Sequence, residues 1–372
     1  MIANHNQYDM LTRMFVGIFG VLLLGLTACQ SETNTMNENQ GSAMYQKTDI
    51  PTPVAAKVPK ELTIHDDTRI DNYYWLNERE NEDVISYLEA ENAYKDEMMA
   101  HTKDFQDKLF EEMKGRVKED DQSVPYKDIG YYYITRYEEG SEYPIYSRKQ
   151  GSLEAEEEIM LNVNELATDF NYYRVGGRSV SPSNEILAYG EDTLSRRIYT
   201  IRFKNLKTGE ILEDHIPNTT GGAVWANDNE HIFYSVKDET LRPVKIYRHR
   251  LGTSNEEDVL VYEEMDDTFS AFVYKTKSKK YIVIGAYQTL SQEYRVLNAD
   301  NPTGDFRIIQ ERERGLEYGI AHFEDKFYIR TNLDAQNFRL MSTPEAATPK
   351  ENWDTVVMFY LKAWIFFKIT WY

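Results

Sequence analysis

The strongest constraint on this chain is a unit that recurs along it. From Tyr131 onward, turn-forming residues alternate with short apolar or aromatic runs. Examples are Tyr131–Arg136, Tyr143–Arg148, Arg197–Arg202, His231–Val236 and Lys280–Gly285. Runs of this length bounded by Gly, Asn, Asp or Pro read as strands. A turn followed by an apolar strand begins near Tyr131, Glu185, His231, Lys280 and Lys326, a separation of roughly 45 to 55 residues. That period suits four-stranded propeller blades, and it favours a propeller over a β-sandwich with coincidental spacing. The expected fold is mainly β, with about five blades represented in whole or part over residues 116–357.

A different pattern precedes it. Folded sequence is expected from about Lys60, and residues 60–115 read as an extended and then helical segment. From Asn81, Val84, Leu88, Tyr94 and Met98 fit one helical face, and Phe105, Leu109, Phe110 and Met113 fit a second. Gly115 is the expected stop.

Further upstream, Arg13 is followed by the apolar run Met14–Ala28 (MFVGIFGVLLLGLTA), short for a membrane span and built like the charged start and apolar middle of an export signal. It ends Leu26-Thr27-Ala28-Cys29, which resembles a bacterial lipobox. The resemblance implies cleavage of residues 1–28 and lipidation of Cys29. The chain would then be an exported lipoprotein whose partner is a membrane, reached through the lipid anchor. The alternative is a membrane anchor followed by an ordinary buried cysteine. Residues 29–59 are polar and without apolar pattern, and read as a disordered tether.

Charge and cysteine usage exclude several classes. Asp and Glu number 62 against 42 Lys and Arg, a net charge of −20, which argues against nucleic acid as a partner. It is compatible with steering of cationic ligands. The lone cysteine excludes an intrachain disulfide and a Cys-based zinc site.

Several segments resemble one family in order. Asp71-Asn-Tyr-Tyr-Trp-Leu76 and Tyr87-Leu-Glu-Ala-Glu-Asn-Ala-Tyr94 resemble the start of the prolyl oligopeptidase family of serine peptidases. Glu112 to Pro125, Val180-Ser-Pro182 with Ala188-Tyr189, Asp192 to Tyr199, and Asp238 to Pro243 with Tyr247-Arg-His249 and Leu251-Gly-Thr253 resemble its oligopeptidase B branch. The resemblance covers about Pro59 to Val357. It departs at Ser195, where the family pattern implies Gly, which puts a tight turn in question. It implies an incomplete seven-bladed propeller that, in the whole enzyme, gates an α/β-hydrolase domain bearing a Ser-Asp-His triad. The implied substrates are peptides cleaved after Lys or Arg.

The residues for that chemistry are not in the sequence. A hydrolase serine sits in a Gly-x-Ser-x-Gly elbow, because the sharp turn requires small neighbours. No such motif occurs in the 372 residues. The nearest run, Gly177-Arg-Ser-Val-Ser181, has Ser at its fifth position and leads into a blade motif. His5, His65, His101, His215, His231, His249 and His322 are scattered and read as turn, strand or surface residues. The acidic runs Asp120/Asp121, Glu156/Glu157/Glu158 and Asp266/Asp267 place neighbouring carboxylates on opposite faces of a strand and read as solvated. Gly176-Gly177 and Gly221-Gly222 lack a phosphate-loop context. No catalytic residue, metal ligand or cofactor is therefore expected.

After Val357 the apolar run MFYLKAWIFFKITWY reads as a frameshifted tail, residues 358–372. Read one base earlier, Met358-Phe359 forces Val, Phe359-Tyr360 forces Leu, Trp364-Ile365 forces Asp and Trp371-Tyr372 forces Val. Phe367-Lys368 then gives only Gln or a stop. Allowed codons at the other positions yield DVLLEGLDFFQNYLV, which resembles a propeller strand of the family; the alternative is a terminal strand or membrane-seeking tail. Two functional classes remain: the propeller part of an exported oligopeptidase B-like enzyme, inactive alone, and a non-catalytic propeller lipoprotein that binds peptides or a partner protein. Association with a separately encoded hydrolase half is a third arrangement.

Overall fold

The structure is a computed structural model that describes residues 50–357. The export segment, Cys29, most of the tether and the tail after Val357 lie outside the described residues. The chain divides after Val117 into two units.

In the first unit, β1 (Lys60–Ile64) and β2 (Asp67–Asp71) form a hairpin. Its turn residues His65 and Asp66 have φ of 52° and 61°, the left-handed geometry that matches strand twist in a two-residue turn. Residues just before Lys60 are tied to this unit. Trp75 Nε1 donates to the Ala56 carbonyl at 2.9 Å, and the Val58 N–H donates to the Asn72 carbonyl at 2.9 Å. The helical pattern resolves into α1 (Glu82–Met99) and α2 (Lys103–Lys114), separated by a 3-10 turn at Ala100–Thr102. Asn81 caps α1 by accepting the Asp83 N–H, and Glu82 and Asp83 complement its N-terminal partial charge. The Gly115 N–H closes α2 on the Glu111 carbonyl. The two expected faces thus belong to two helices. Of their apolar residues only Val84 is buried, and Phe105, Phe110 and Met113 are all exposed.

The second unit is a run of blades. The first is β3 (Tyr126–Asp128), β4 (Tyr131–Arg136), β5 (Ile145–Gln150) and β6 (Glu157–Asn162). The second comprises β7 (Arg174–Val180), β8 (Ile186–Asp192), β9 (Tyr199–Asn205) and the first half of β10 (Ile211–Trp225). The second half of β10 begins the third, which continues through β11 (His231–Lys237), β12 (Pro243–Arg250) and β13 (Val259–Glu263). The fourth is β14 (Ser270–Lys275), β15 (Tyr281–Gln288), β16 (Ser291–Asn298) and β17 (Arg307–Gln310). The fifth is β18 (Tyr318–Phe323), β19 (Lys326–Thr331), β20 (Arg339–Pro344) and β21 (Asp354–Val357). All pair antiparallel in sequence order. Five four-stranded blades are therefore present, as the repeat implies. The repeat starts fall on the second strand of each blade, not the first. The strongest turn signal lies in the hairpin between first and second strands, where Gly130, Asn184, Asn229, Lys279 and Glu324 all have positive φ.

β10 serves two blades because it changes partner midway. Ile211 to Thr219 pair with β9, and Thr219 to Trp225 pair with β11. The crossover passes through Gly221, with φ of 91°. There, the backbones of β7, β8 and β10 touch. A Cβ on Gly190 would meet the Gly221 Cα at 2.5 Å, and one on Gly177 would meet the Gly221 carbonyl oxygen at 2.3 Å. Close strand packing explains these glycines without any phosphate.

Core residues sit mainly between adjacent blades. Leu161, Tyr173 and Tyr189 join the first and second, and Phe203, Trp225 and Ile232 join the second and third. Phe233 meets Ile282 and Leu297 between the third and fourth, and Val283 meets Phe327, Ile329 and Trp353 between the fourth and fifth. Each such side chain contributes about 1.5–3 kcal/mol on burial.

The Ser195 turn forms despite its side chain. Asp192 accepts the N–H groups of Leu194 and Arg197 at 2.9 and 2.8 Å, holding Ser195 at φ 59° and Arg197 at φ 56°. A left-handed non-glycine residue costs roughly 1–2 kcal/mol. Ser195→Gly is expected to raise the unfolding free energy by about 0.5–1 kcal/mol, because the relief of strain exceeds glycine's added chain entropy. Urea unfolding with an unchanged midpoint would contradict this.

Candidate functional site at the propeller axis

The first strand of a propeller blade faces the axis. Here β3, β7, the end of β10 and β14 surround a cavity of about 300 Å3. The hairpins that follow these strands lock to one another on one side. Asn184 Nδ2 donates to the Ile129 carbonyl at 3.2 Å, and the Ser183 N–H donates to Asn229 Oδ1 at 2.6 Å. Asn227 Nδ2 donates to the Lys279 carbonyl at 3.1 Å, and Lys279 Nζ pairs with Asp128 at 2.8 Å. That ion pair connects the fourth blade to the first. Each link needs a side chain or carbonyl presented by a tight turn, which is why the left-handed residues recur there.

Aromatic residues form much of the wall. The Tyr126 and Tyr133 rings stack with centroids 5.1 Å apart, and Trp225 Nε1 donates to the Ser179 carbonyl at 3.0 Å. Burial pushes Tyr133 up to about 12. Charged lining groups are three cations, Arg178, Lys275 and Lys279, and one carboxylate, Asp128. The lining is cationic in a chain of net charge −20. Burial first, and then repulsion from Lys279, bring Lys275 down to about 8. Sequence reasoning missed this cluster. The available signal was the run Lys275-Thr-Lys-Ser-Lys-Lys280, basic in an acidic chain.

Residues singled out in the sequence have other employment. Ser179, the serine at the nucleophile's place in Gly177–Ser181, lies on β7 opposite Ala188 in the β7–β8 ladder, and its carbonyl accepts Trp225 Nε1 at 3.0 Å. Ser181 is buried, and its Oγ contacts Ser183 Oγ at 3.0 Å and accepts the Ile186 N–H at 3.1 Å. No histidine stands beside it in those contacts. Glu157 and Glu158 do alternate on β6, and each meets an arginine: Arg136 at 2.9 Å and Arg148 at 2.8 Å. Asp121 pairs with Lys118 at the surface, and Asp266 accepts from Thr268. Among the described residues no group of acidic, histidine or cysteine side chains could hold a metal ion.

His249 has the partners of a catalytic histidine but lacks its freedom. Nδ1 meets Asp258 Oδ1 at 2.6 Å and Nε2 meets Asp214 Oδ2 at 3.2 Å, with the side chain wholly buried. Asp258 also accepts from the Tyr234 hydroxyl at 2.7 Å, and Asp214 from the Gly252 N–H at 2.6 Å. Both ring nitrogens are committed, so the group cross-links β10, β11 and β12 and has no position for a substrate. His322 is similarly held between Ser278 and Glu345, and His231 by Asp228.

Burial opposes charge on His249, but the hydrogen bonds to Asp214 and Asp258 outweigh it and hold its pKa above the ordinary value. Stability from this network is therefore complete below the unfolded histidine pKa of about 6.5, and is lost as pH rises through the raised folded value. His249→Gln is expected to remove that part of the pH profile. The stability difference between parent and variant in urea should shrink as pH rises above the unfolded histidine pKa of about 6.5. A difference constant with pH would show that the ring carries no charge in the fold.

The sequence model of the prolyl oligopeptidase N-terminal β-propeller domain matches residues 53–359. Dipeptidyl aminopeptidase BI of Pseudoxanthomonas mexicana is 41% identical over 321 residues, covering 81% of this chain and 44% of that protein. Protease 2 of Moraxella lacunata is 37% identical over 299 residues, covering 78% and 43%. Among solved structures, oligopeptidase B from Leishmania major superposes with a TM-score of 0.76 at 28% identity, over 84% of this chain and 46% of that one. This chain thus spans less than half the length of these relatives.

Proposed function

The chain belongs to the prolyl oligopeptidase family through its N-terminal β-propeller domain, and from that membership we propose that it is the gating propeller of an exported oligopeptidase B-like serine peptidase. The parent activity is hydrolysis of peptides after Lys or Arg, with the propeller as a size filter over the hydrolase site. The observation that carries the reading is the run of five consecutive four-stranded blades, the first four of which line a common cavity, in a chain 41% identical to a dipeptidyl aminopeptidase. The acidic balance supports cationic peptides as substrates by steering them. In this reading the propeller works with a hydrolase domain that carries the Ser-Asp-His triad.

By itself this sequence is inactive in that reading, because acyl transfer needs a nucleophile, base and oxyanion hole, and no Gly-x-Ser-x-Gly elbow occurs in the 372 residues. The full chain is expected to release no product from a Lys- or Arg-p-nitroanilide. Co-expression with a hydrolase half bearing a Gly-x-Ser-x-Gly elbow should give turnover. Serine-reagent-sensitive hydrolysis by the chain alone would overturn the assignment of inactivity.

Export and anchoring rest on Cys29 after Leu26-Thr27-Ala28. In a bacterial host, radiolabelled palmitate is expected to enter the chain and the protein to fractionate with membranes. Cys29→Ala should abolish the labelling, and labelling that survives this change would overturn the anchor.

A second reading, a non-catalytic propeller lipoprotein that binds peptides or a partner protein, draws on the unpaired cation in the axial cavity. Peptide binding with no turnover in the presence of any hydrolase half would favour it.

A further inference from the structure

Lys275 lines the axial cavity from β14, partly buried, and its ammonium is in no hydrogen bond or ion pair among the described residues. Three carboxylates and one amine lie near enough to act on its charge: Asp128, Asp228, Asp300 and Lys279. Each carboxylate already has a donor. Asp128 is held by Lys279 Nζ at 2.8 Å. Asp228 is held by His231 Nδ1 at 2.6 Å and by the N–H groups of Glu230 and His231. Asp300 receives Asn227 Nδ2 at 2.7 Å. A partly buried ammonium with no acceptor is costly, and its burial is best relieved by an anion entering from outside.

A second cation lines the same cavity from another blade. The Arg178 guanidinium on β7 lies 3.6 Å from the centroid of the Tyr146 ring. Stacking fixes the plane of a guanidinium and leaves its N–H edge able to take a carboxylate in bidentate fashion. The cavity volume of about 300 Å3 exceeds what one ion with its water fills, since a water occupies about 30 Å3. It suits a carboxylate carried on a short peptide, with Tyr126, Tyr133 and Trp225 as apolar wall.

We propose that the axial cavity is a carboxylate-binding site, in which Lys275 and Arg178 receive the C-terminal or side-chain carboxylate of a peptide. The proposal stands on the cavity and its unpaired cation and does not need the peptidase reading. A hydrolysis assay can fail while this binding holds, and the reverse.

The test is calorimetric titration of the full chain with four probes: acetyl-trialanine as the free acid, the same peptide amidated, an amidated peptide carrying one Asp, and sodium acetate. The free acid is expected to bind at least about tenfold more tightly than the neutral amide, as loss of a charge-assisted hydrogen bond implies. The Asp peptide then tells whether a side-chain carboxylate serves as well, and acetate tells how much the peptide body adds. Lys275→Met should weaken the free acid about tenfold, Arg178→Gln should weaken it less, and Lys275→Arg should retain binding. Affinity of the parent should fall from pH 7 to pH 9 as the Lys275 amine, with its pKa of about 8, loses its proton, and this fall should vanish in Lys275→Met. Lys275→Met removes an unpaired ammonium and should fold at least as well; were it not to fold, Arg178→Gln decides. Equal binding of acid and amide, binding of neither, or affinity unchanged by both substitutions would overturn the proposal.

Discussion

Contact between the faces of neighbouring blades is what the second unit depends on. A four-stranded sheet has two faces, and a strand apolar on both has nowhere to hide either face alone. β8 and β15 are of this kind: Leu187, Ala188 and Tyr189 are buried in succession, as are Tyr281 to Ala286. They hold only because one blade covers the near face and the next covers the far one. The core is therefore a series of thin apolar layers between sheets, and each blade is stabilised by its neighbours more than by its own hairpins.

Polar groups then decide how tightly these layers close. The Asp214–His249–Asp258 group ties the second blade to the third, and the hairpin bonds around Asn184, Asn227 and Lys279 tie the inner turns together. Each of these groups already has a protein partner, so they contribute rigidity first. Lys275 and Arg178 differ in this respect, which is why the axis rather than the histidine network stands out as a place for binding.

Much of this fold can be read from the chain. The number of blades follows from the spacing of turn signals, because the hairpin between the first and second strands of every blade carries a left-handed residue, and Asn184 and Asn229 are residue types that tolerate it. The phase of the repeat is harder to read: the hairpin punctuation is stronger than the blade boundary, and β10 crosses a boundary with no turn at all. The glycines of that crossover carry no signal of their purpose until β7, β8 and β10 are seen to touch. The break between α1 and α2 was also hidden, because Ala100, His101 and Thr102 do not forbid a helix. The axial cations escaped for a different reason. Arg178 and Lys275 come from blades separated by a third, and only closure of the sheets around an axis brings them to one cavity.

The continuous strand β10 has a mechanical consequence. Other adjacent blades are joined by a connecting loop, a link that can lengthen or swing without breaking ladder hydrogen bonds. The second and third blades share one backbone rod, so sliding one past the other means tearing strand pairing at Thr219 or bending through Gly221. These two blades must behave as a single stiff plate of seven strands. Any breathing that widens the axial cavity is then excluded from the join between the second and third blades and falls to the looped seams: before β7, after β13 and between β17 and β18.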